Sequence, residues 1–147
     1  MANSTYFTLL NLKPAFDLDL SLLEAEYFKA QRLYHPDRFV GKSAEERSVA
    51  LQKSMDINQA YDTLKNPLKR AQYILKLQGI IVGTEADSVK PSKELLMEIM
   101  ELREQASDVS KLHKESLLAI SKHYANNDWQ NMAQETLRLG YLEKMLG

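Results

Sequence analysis

QRLYHPDRFVGK, residues 31–42, decides how the chain folds. A proline lacks a backbone N–H, and the residue before it avoids helical angles. A helix that reaches Tyr34 must therefore stop at His35-Pro36. Upstream, Asp19 is an N-cap, and Leu20, Leu23, Tyr27, Ala30 and Tyr34 recur at spacings of three and four. That period predicts a helix with one apolar stripe, and Lys29 and Arg32 fall on its opposite side. Downstream, RFVGKSA is a loop, and Ser43 with Glu46 has the spacing of a capping box. The helix it opens runs to about Lys65, with Ala50, Ser54, Ile57, Tyr61 and Leu64 on one face. Two such stripes joined by a short loop predict an antiparallel pair that buries a small core.

The rest of the chain extends this pattern. Residues 4–12, STYFTLLNL, read as a short apolar helix. Asn66 and Pro67 open another helix that closes on Gly79. Residues 79–91 lose the helical period and contain Gly79, Gly83 and Pro91, which marks a linker. Helical patterns resume at 92–106, 110–126 and 128–145, with Asn126-Asn127-Asp128 as a turn and Asp128 as a cap. The expectation is an all-α protein of seven helices: a domain at 1–78, a linker at 79–91 and a three-helix bundle at 92–147.

Composition narrows the function. Of 147 residues, 44% are hydrophobic and 27% charged, enough to bury a core and keep a polar surface. The net charge of −1 gives no general attraction to nucleic acid or anionic lipid. Residues 1–78 hold 11 Lys and Arg against 9 acids; residues 79–147 hold 8 against 11. Cysteine is absent, which excludes disulfides, thiolate zinc sites and a thiol nucleophile. The start, MANSTYFTLL, has neither a charged leader nor an Arg-rich presequence, and no apolar run approaches a membrane span. A soluble cytoplasmic protein without membrane contact is expected.

Little in the sequence supports catalysis. His35 beside Asp37 suggests a base with an orienting acid, but neighbours in sequence diverge in direction and the proline stiffens that divergence. The glycines at 41, 79, 83, 140 and 147 are scattered, so none forms a phosphate loop. His113 and His123 are too far apart for one metal ion. His113 falls on an apolar face with Leu117 and Ile120 and reads as a satisfied core histidine, whereas His123 reads as solvated. No enzyme, metal site or cofactor is expected. Lys29, Arg32, Arg38 and Lys42 form a basic patch around the turn, too small for a phosphate backbone and better suited to an acidic protein surface.

The segment LLMEIMELRE, 95–104, carries a second signal. With Leu95, Ile99, Leu102 and Ala106 facing a core, Leu96, Met97 and Met100 fall progressively round the helix. Glu101 and Glu104 edge this surface on one side and Arg103 on the other. Either the first domain covers Leu96 and Met97, or they form a partner-binding patch, a role for which adaptable methionine suits.

YHPDRF between two amphipathic helices resembles the J-domain, the Hsp70-stimulating module of DnaJ-type co-chaperones. With YFTLLNL before it, and INQAYDTLKNPLKRAQYIL and LLMEIMELRE after it, the chain resembles the HscB family. HscB proteins are J-type co-chaperones of iron–sulfur cluster assembly. The resemblance implies that His35, Pro36 and Asp37, steered by Lys29, Arg32 and Arg38, dock on an HscA-type Hsp70 and promote its ATP hydrolysis. It implies that Leu96, Met97, Met100, Glu101, Arg103, Glu104 and Tyr141 bind an IscU-type scaffold, whose delivery aids cluster transfer. The match at Tyr141 takes a one-residue gap. A hairpin between the first two bundle helices several turns shorter than usual, and an end soon after LGYLEKM, depart from the family pattern. No cysteine-rich zinc-binding extension is present, which points to a bacterial-type member. The alternative is a J-domain protein or helical adaptor with another client.

Overall fold

The computed structural model describes residues 4–83, 88–105 and 108–146. Among them are seven α-helices: α1 (Tyr6–Leu9), α2 (Leu20–Tyr34), α3 (Ala44–Leu64), α4 (Pro67–Leu77), α5 (Lys93–Glu104), α6 (Val109–Ala125) and α7 (Trp129–Leu146). A 3-10 turn, Pro36–Phe39, lies between α2 and α3. The contacts separate the chain into two packed units, residues 1–66 and 67–147.

In the first unit α1 and α2 both pack on α3. Asp19 accepts from the N–H groups of Ser21 (2.9 Å) and Leu22 (3.2 Å), satisfying donors that the first turn of a helix leaves open. Leu23 of α2 and Ala50, Ile57, Ala60 and Leu64 of α3 are buried, as are Phe7, Leu10, Leu12 and Phe16. Each large side chain among them contributes ~1.5–3 kcal/mol by leaving water. The α2 stripe differs from expectation at Leu20, which is exposed. It is the first residue of the helix, ahead of the turns that lie along α3.

The α2–α3 seam is also more polar than its spacing predicts. Ser54 Oγ donates to Gln31 Oε1 (3.2 Å), and Gln31 Nε2 donates to Asn58 Oδ1 (2.6 Å). The Tyr27 hydroxyl donates to the same oxygen (2.7 Å), and its ring stacks on Tyr61 with centroids 4.1 Å apart. These bonds satisfy half-buried polar groups and fix the rotation of α2 against α3. At Ser43 half of the anticipated capping box forms: its Oγ accepts from the Glu46 N–H (3.1 Å). The Glu46 carboxylate turns to the Ser43 hydroxyl (3.2 Å) rather than to its backbone.

The second unit is built on α7, which packs against α4, α5 and α6. Met132, Ala133, Thr136, Leu139 and Leu142 of α7 are buried, as are Ala71, Ile74 and Leu75 of α4, Leu95 and Ile99 of α5 and Ile120 of α6. The division between units therefore falls at Asn66/Pro67, ahead of the boundary expected at 79–91. The reason is that α4 turns its apolar side onto α7. Val82 of the anticipated linker is buried too, and Val89 N–H bonds Ile81 O (2.8 Å), so this segment is held rather than loose. Ala106 lies outside the described residues, and Leu102 is half-buried.

Two histidines are fastened at helix ends. His113 is half-buried, and its Nε2 lies 3.3 Å from Glu143 on α7, so its partner is a carboxylate. His123, expected in open solvent, is also half-buried, 3.8 Å from Asp128. Asp128 caps α7, accepting from the Asn131 backbone N–H (3.3 Å) and side-chain amide (2.6 Å). The Asn131 side chain, and behind it the backbone bond and His123, hold this carboxyl below its ordinary range. A lowered carboxyl stabilises the fold fully above its unfolded value and stops doing so as pH falls through the folded one. An NMR titration of Asp128 is expected to show a midpoint below that of a model aspartate, and Asn131→Ala to move it upward.

Candidate functional site

Two surfaces bring the sequence-derived residues together. The first is the turn after α2. His35 leaves the helix with φ −61° and ψ 137°, an extended conformation that the following Pro36 favours. Pro36 then occupies the first position of the 3-10 turn, where its missing N–H costs nothing. The turn closes through Arg38 N–H to His35 O (2.9 Å) and through Asp37 N–H to the ring Nδ1 of His35 (3.2 Å).

The last bond bears on the tautomer of the imidazole. A nitrogen that accepts carries no proton, so the neutral ring holds its hydrogen on Nε2 and offers that as a donor. The side chains of His35 and Asp37 do not diverge as expected, because the turn brings the ring back over the Asp37 backbone. His35 Nδ1 lies 3.6 Å from Asp37 Oδ2, too far for a hydrogen bond. His35 is 57% exposed and Asp37 89%, so both side chains stand in water. What the turn presents is an exposed carboxylate beside an exposed imidazole.

The basic residues flank this turn. Lys29, Arg32 and Arg38 are all exposed. Glu26, one turn before Lys29, comes within 3.9 Å of its ammonium group. At 3.9 Å the contact with the half-buried Glu26 is loose, and Arg32 and Arg38 remain available to an outside anion.

The second surface is α5. Leu96, Met97 and Met100 are exposed (43%, 57% and 64%), while Leu95 and Ile99 beside them are buried. Within the second unit these three side chains are thus left on the surface, and Glu101, Arg103 and Glu104 are exposed around them. The helix is held from below by contacts that its sequence did not disclose. Arg138 of α7 reaches Glu98 (2.8 Å) and Glu135 (2.9 Å), and Gln134 accepts from Ser92 N–H (2.7 Å). Burial works against the Arg138 charge, but its bonds to Glu98 and Glu135 outweigh it and raise the pKa above the ordinary value. Residue numbers rise together in these contacts, Ser92 with Gln134 and Glu98 with Arg138, so α5 and α7 run in the same direction. Tyr141 follows Gln134 and Arg138 at helical spacing, and lines a depression with Leu68 and Gln72 of α4 and with Val82. Among the described residues no group of three His, Cys, Asp or Glu side chains could hold a metal ion. No helix there is long and apolar enough to cross a membrane.

Residues 5–73 match the DnaJ domain model. The co-chaperone protein HscB of Proteus mirabilis is 47% identical over 157 aligned positions, covering 95% of this chain and 90% of that one. The chain belongs to the HscB family of co-chaperones. An HscB homolog of Vibrio vulnificus is 33% identical over 95% of the chain and 91% of its own length. Among solved structures, HscB from Vibrio cholerae matches with a TM-score of 0.80 at 33% identity, covering 97% of this chain and 93% of that one. Human HscB matches at 0.84 and 29% identity, covering 97% and 79%.

The HscB resemblance read from YHPDRF and LLMEIMELRE is therefore correct, and the protein is an all-α J-type co-chaperone. The alignment with the Proteus protein is longer than this whole chain, so that relative carries residues without a counterpart here. The J-domain match runs to Tyr73, inside α4. By sequence α4 closes the J-domain; by packing it belongs with α7.

The Arg138 clamp yields a direct test. Arg138→Met keeps the stem but leaves Glu98 and Glu135 without their partner. A loss of ~1–3 kcal/mol in unfolding free energy is expected, since hydrogen bonds to charged groups carry that scale. Hydrogen exchange should quicken in α5 more than in α6.

Proposed function

We propose that this HscB-family co-chaperone stimulates the ATPase of an HscA-type Hsp70 and hands it an IscU-type iron–sulfur scaffold. The observation that carries the reading is the His35-Pro36-Asp37 turn, solvent-exposed and flanked by Arg32 and Arg38, in a chain related to HscB co-chaperones over nearly all its length. Pro36 holds the turn in one shape, so docking loses little conformational freedom. Asp37 offers an exposed carboxylate to an arginine of the Hsp70, a charge-assisted bond stronger than a neutral one. His35 donates from Nε2 at its edge. Lys29, Arg32 and Arg38 raise the encounter rate with an acidic partner surface. ATP is cleaved in the Hsp70, so this chain supplies binding and no catalytic residue.

The face of Leu96, Met97 and Met100, rimmed by Glu101, Arg103 and Glu104 with Tyr141 beyond, is the scaffold site in this reading. A flexible methionine pair beside a leucine adapts to a partner's relief, and a charged rim sets its orientation. Binding scaffold and Hsp70 on one chain raises the effective concentration of each for the other. The cytoplasmic setting expected from the sequence goes with this role.

Asp37→Asn and His35→Gln are each expected to abolish stimulation of Hsp70 turnover while circular dichroism stays that of the wild type. Wild-type stimulation by either variant would refute the docking role. On the second surface, changing Leu96, Met97 and Met100 together to alanine is expected to cost no more than ~1 kcal/mol of stability, because exposed truncations open no cavity. The same change should weaken scaffold binding at least tenfold by calorimetric titration and remove the scaffold's extra stimulation. Unchanged scaffold affinity would move the site off this face of α5.

A further inference from the structure

Phe28 sits on α2 one turn before Arg32 and two before His35, and the docking reading leaves it unused. The residue is 53% exposed. A single exposed apolar side chain is common and by itself means little. Here it forms part of a depression of about 520 Å³ lined by Phe28, Gln31, Arg32, His35, Asp37 and Arg38. The i, i+4, i+7 spacing of Phe28, Arg32 and His35 puts them on one stripe that runs onto the turn.

The floor is fixed before any partner arrives. Gln31 is tied to α3 through Asn58 and Ser54 (2.6 and 3.2 Å). Tyr27 stacks on Tyr61 at 4.1 Å, and the Phe28 ring tilts against Tyr27 with centroids 5.4 Å apart. The rim carries two guanidinium groups, Arg32 and Arg38, and one carboxylate, Asp37. That pattern fits a protein segment presenting an apolar side chain with acidic neighbours on one side and a cation on the other.

Resting on the Hsp70-docking reading, we infer that this depression receives an apolar side chain of the Hsp70 surface, seated on the Phe28 ring. Phe28 thus anchors the partner while Asp37 acts on it. The continuity is geometric: the depression shares His35, Asp37 and Arg38 with the docking turn, so any protein engaging that turn covers its mouth. Anchoring and triggering are then separable. Loss of the ring weakens the complex, whereas loss of the Asp37 charge removes stimulation even at saturating co-chaperone.

The test titrates full-length Phe28→Ala and Phe28→Leu into HscA-type Hsp70 under steady-state ATP turnover, with wild type and Asp37→Asn alongside. Phe28→Ala should raise the concentration for half-maximal stimulation about tenfold and still reach the wild-type maximum. Phe28→Leu should fall between the two, which keeps the test alive if the alanine variant folds poorly. The salt dependence of half-saturation should match wild type, since no charge is removed. Half-saturation of both Phe28 variants within twofold of wild type, with Asp37→Asn inactive, overturns the anchor and spares the docking role. Wild-type behaviour of Asp37→Asn defeats the docking reading itself. Sedimentation supplies the last arm: a wild-type dimer that dissociates in Phe28→Ala would assign the depression to a second copy and overturn the inference.

Discussion

Pro36 is the constraint on which the first unit depends. It denies α2 another turn by forcing His35 into an extended conformation, and it begins the 3-10 turn that brings the chain round towards α3. The same restriction explains both architecture and chemistry. Because Pro36 restricts the backbone, the Asp37 N–H meets His35 Nδ1, which leaves Nε2 as the donor of the neutral ring. A flexible loop would offer the same side chains with no defined geometry, and ordering them would oppose binding. The turn is kept in place by the seam beneath it, where Tyr27, Gln31, Ser54, Tyr61 and Asn58 lock the rotation of α2.

The second unit solves a different problem. α5 must bury enough apolar surface to stay on α7 and still leave a broad apolar face in water. Leu95 and Ile99 supply the burial. The remaining hold is polar and directional: Arg138 bridges Glu98 and Glu135, and Gln134 receives the Ser92 N–H at the helix start. Polar clamps let Leu96, Met97 and Met100 stay out of the core without loosening the helix that carries them.

α4 shows how sequence relationship and packing part company. Its residues up to Tyr73 fall inside the J-domain match, and the glycine-containing stretch after it looks like a natural boundary. Yet Ala71, Ile74 and Leu75 belong to the packing of the second unit with α7, and Val82 is buried. Family boundaries record common ancestry in sequence, whereas packed units record where apolar surface is removed from water.

The sequence by itself determined the helices and the two chemical signatures. Asp19, Ser43 and Asp128 name their caps, Pro36 and Gly79 their stops, and stripes of period three and four their buried faces, because all of these are local steric or hydrogen-bonding rules. It also marked His35-Pro36-Asp37 and the wide apolar surface around Leu96. Leu20 was misread as buried because periodicity gives a direction but not the extent of the neighbour that covers it. Only the tertiary structure decided what depends on residues distant in the chain. Glu98 with Arg138, forty positions apart, leave no periodic trace, nor does the meeting of Gln31 with Ser54 and Asn58. Whether Leu96, Met97 and Met100 are exposed within their unit was likewise open in the sequence, since an apolar side chain is buried only if another surface comes to cover it.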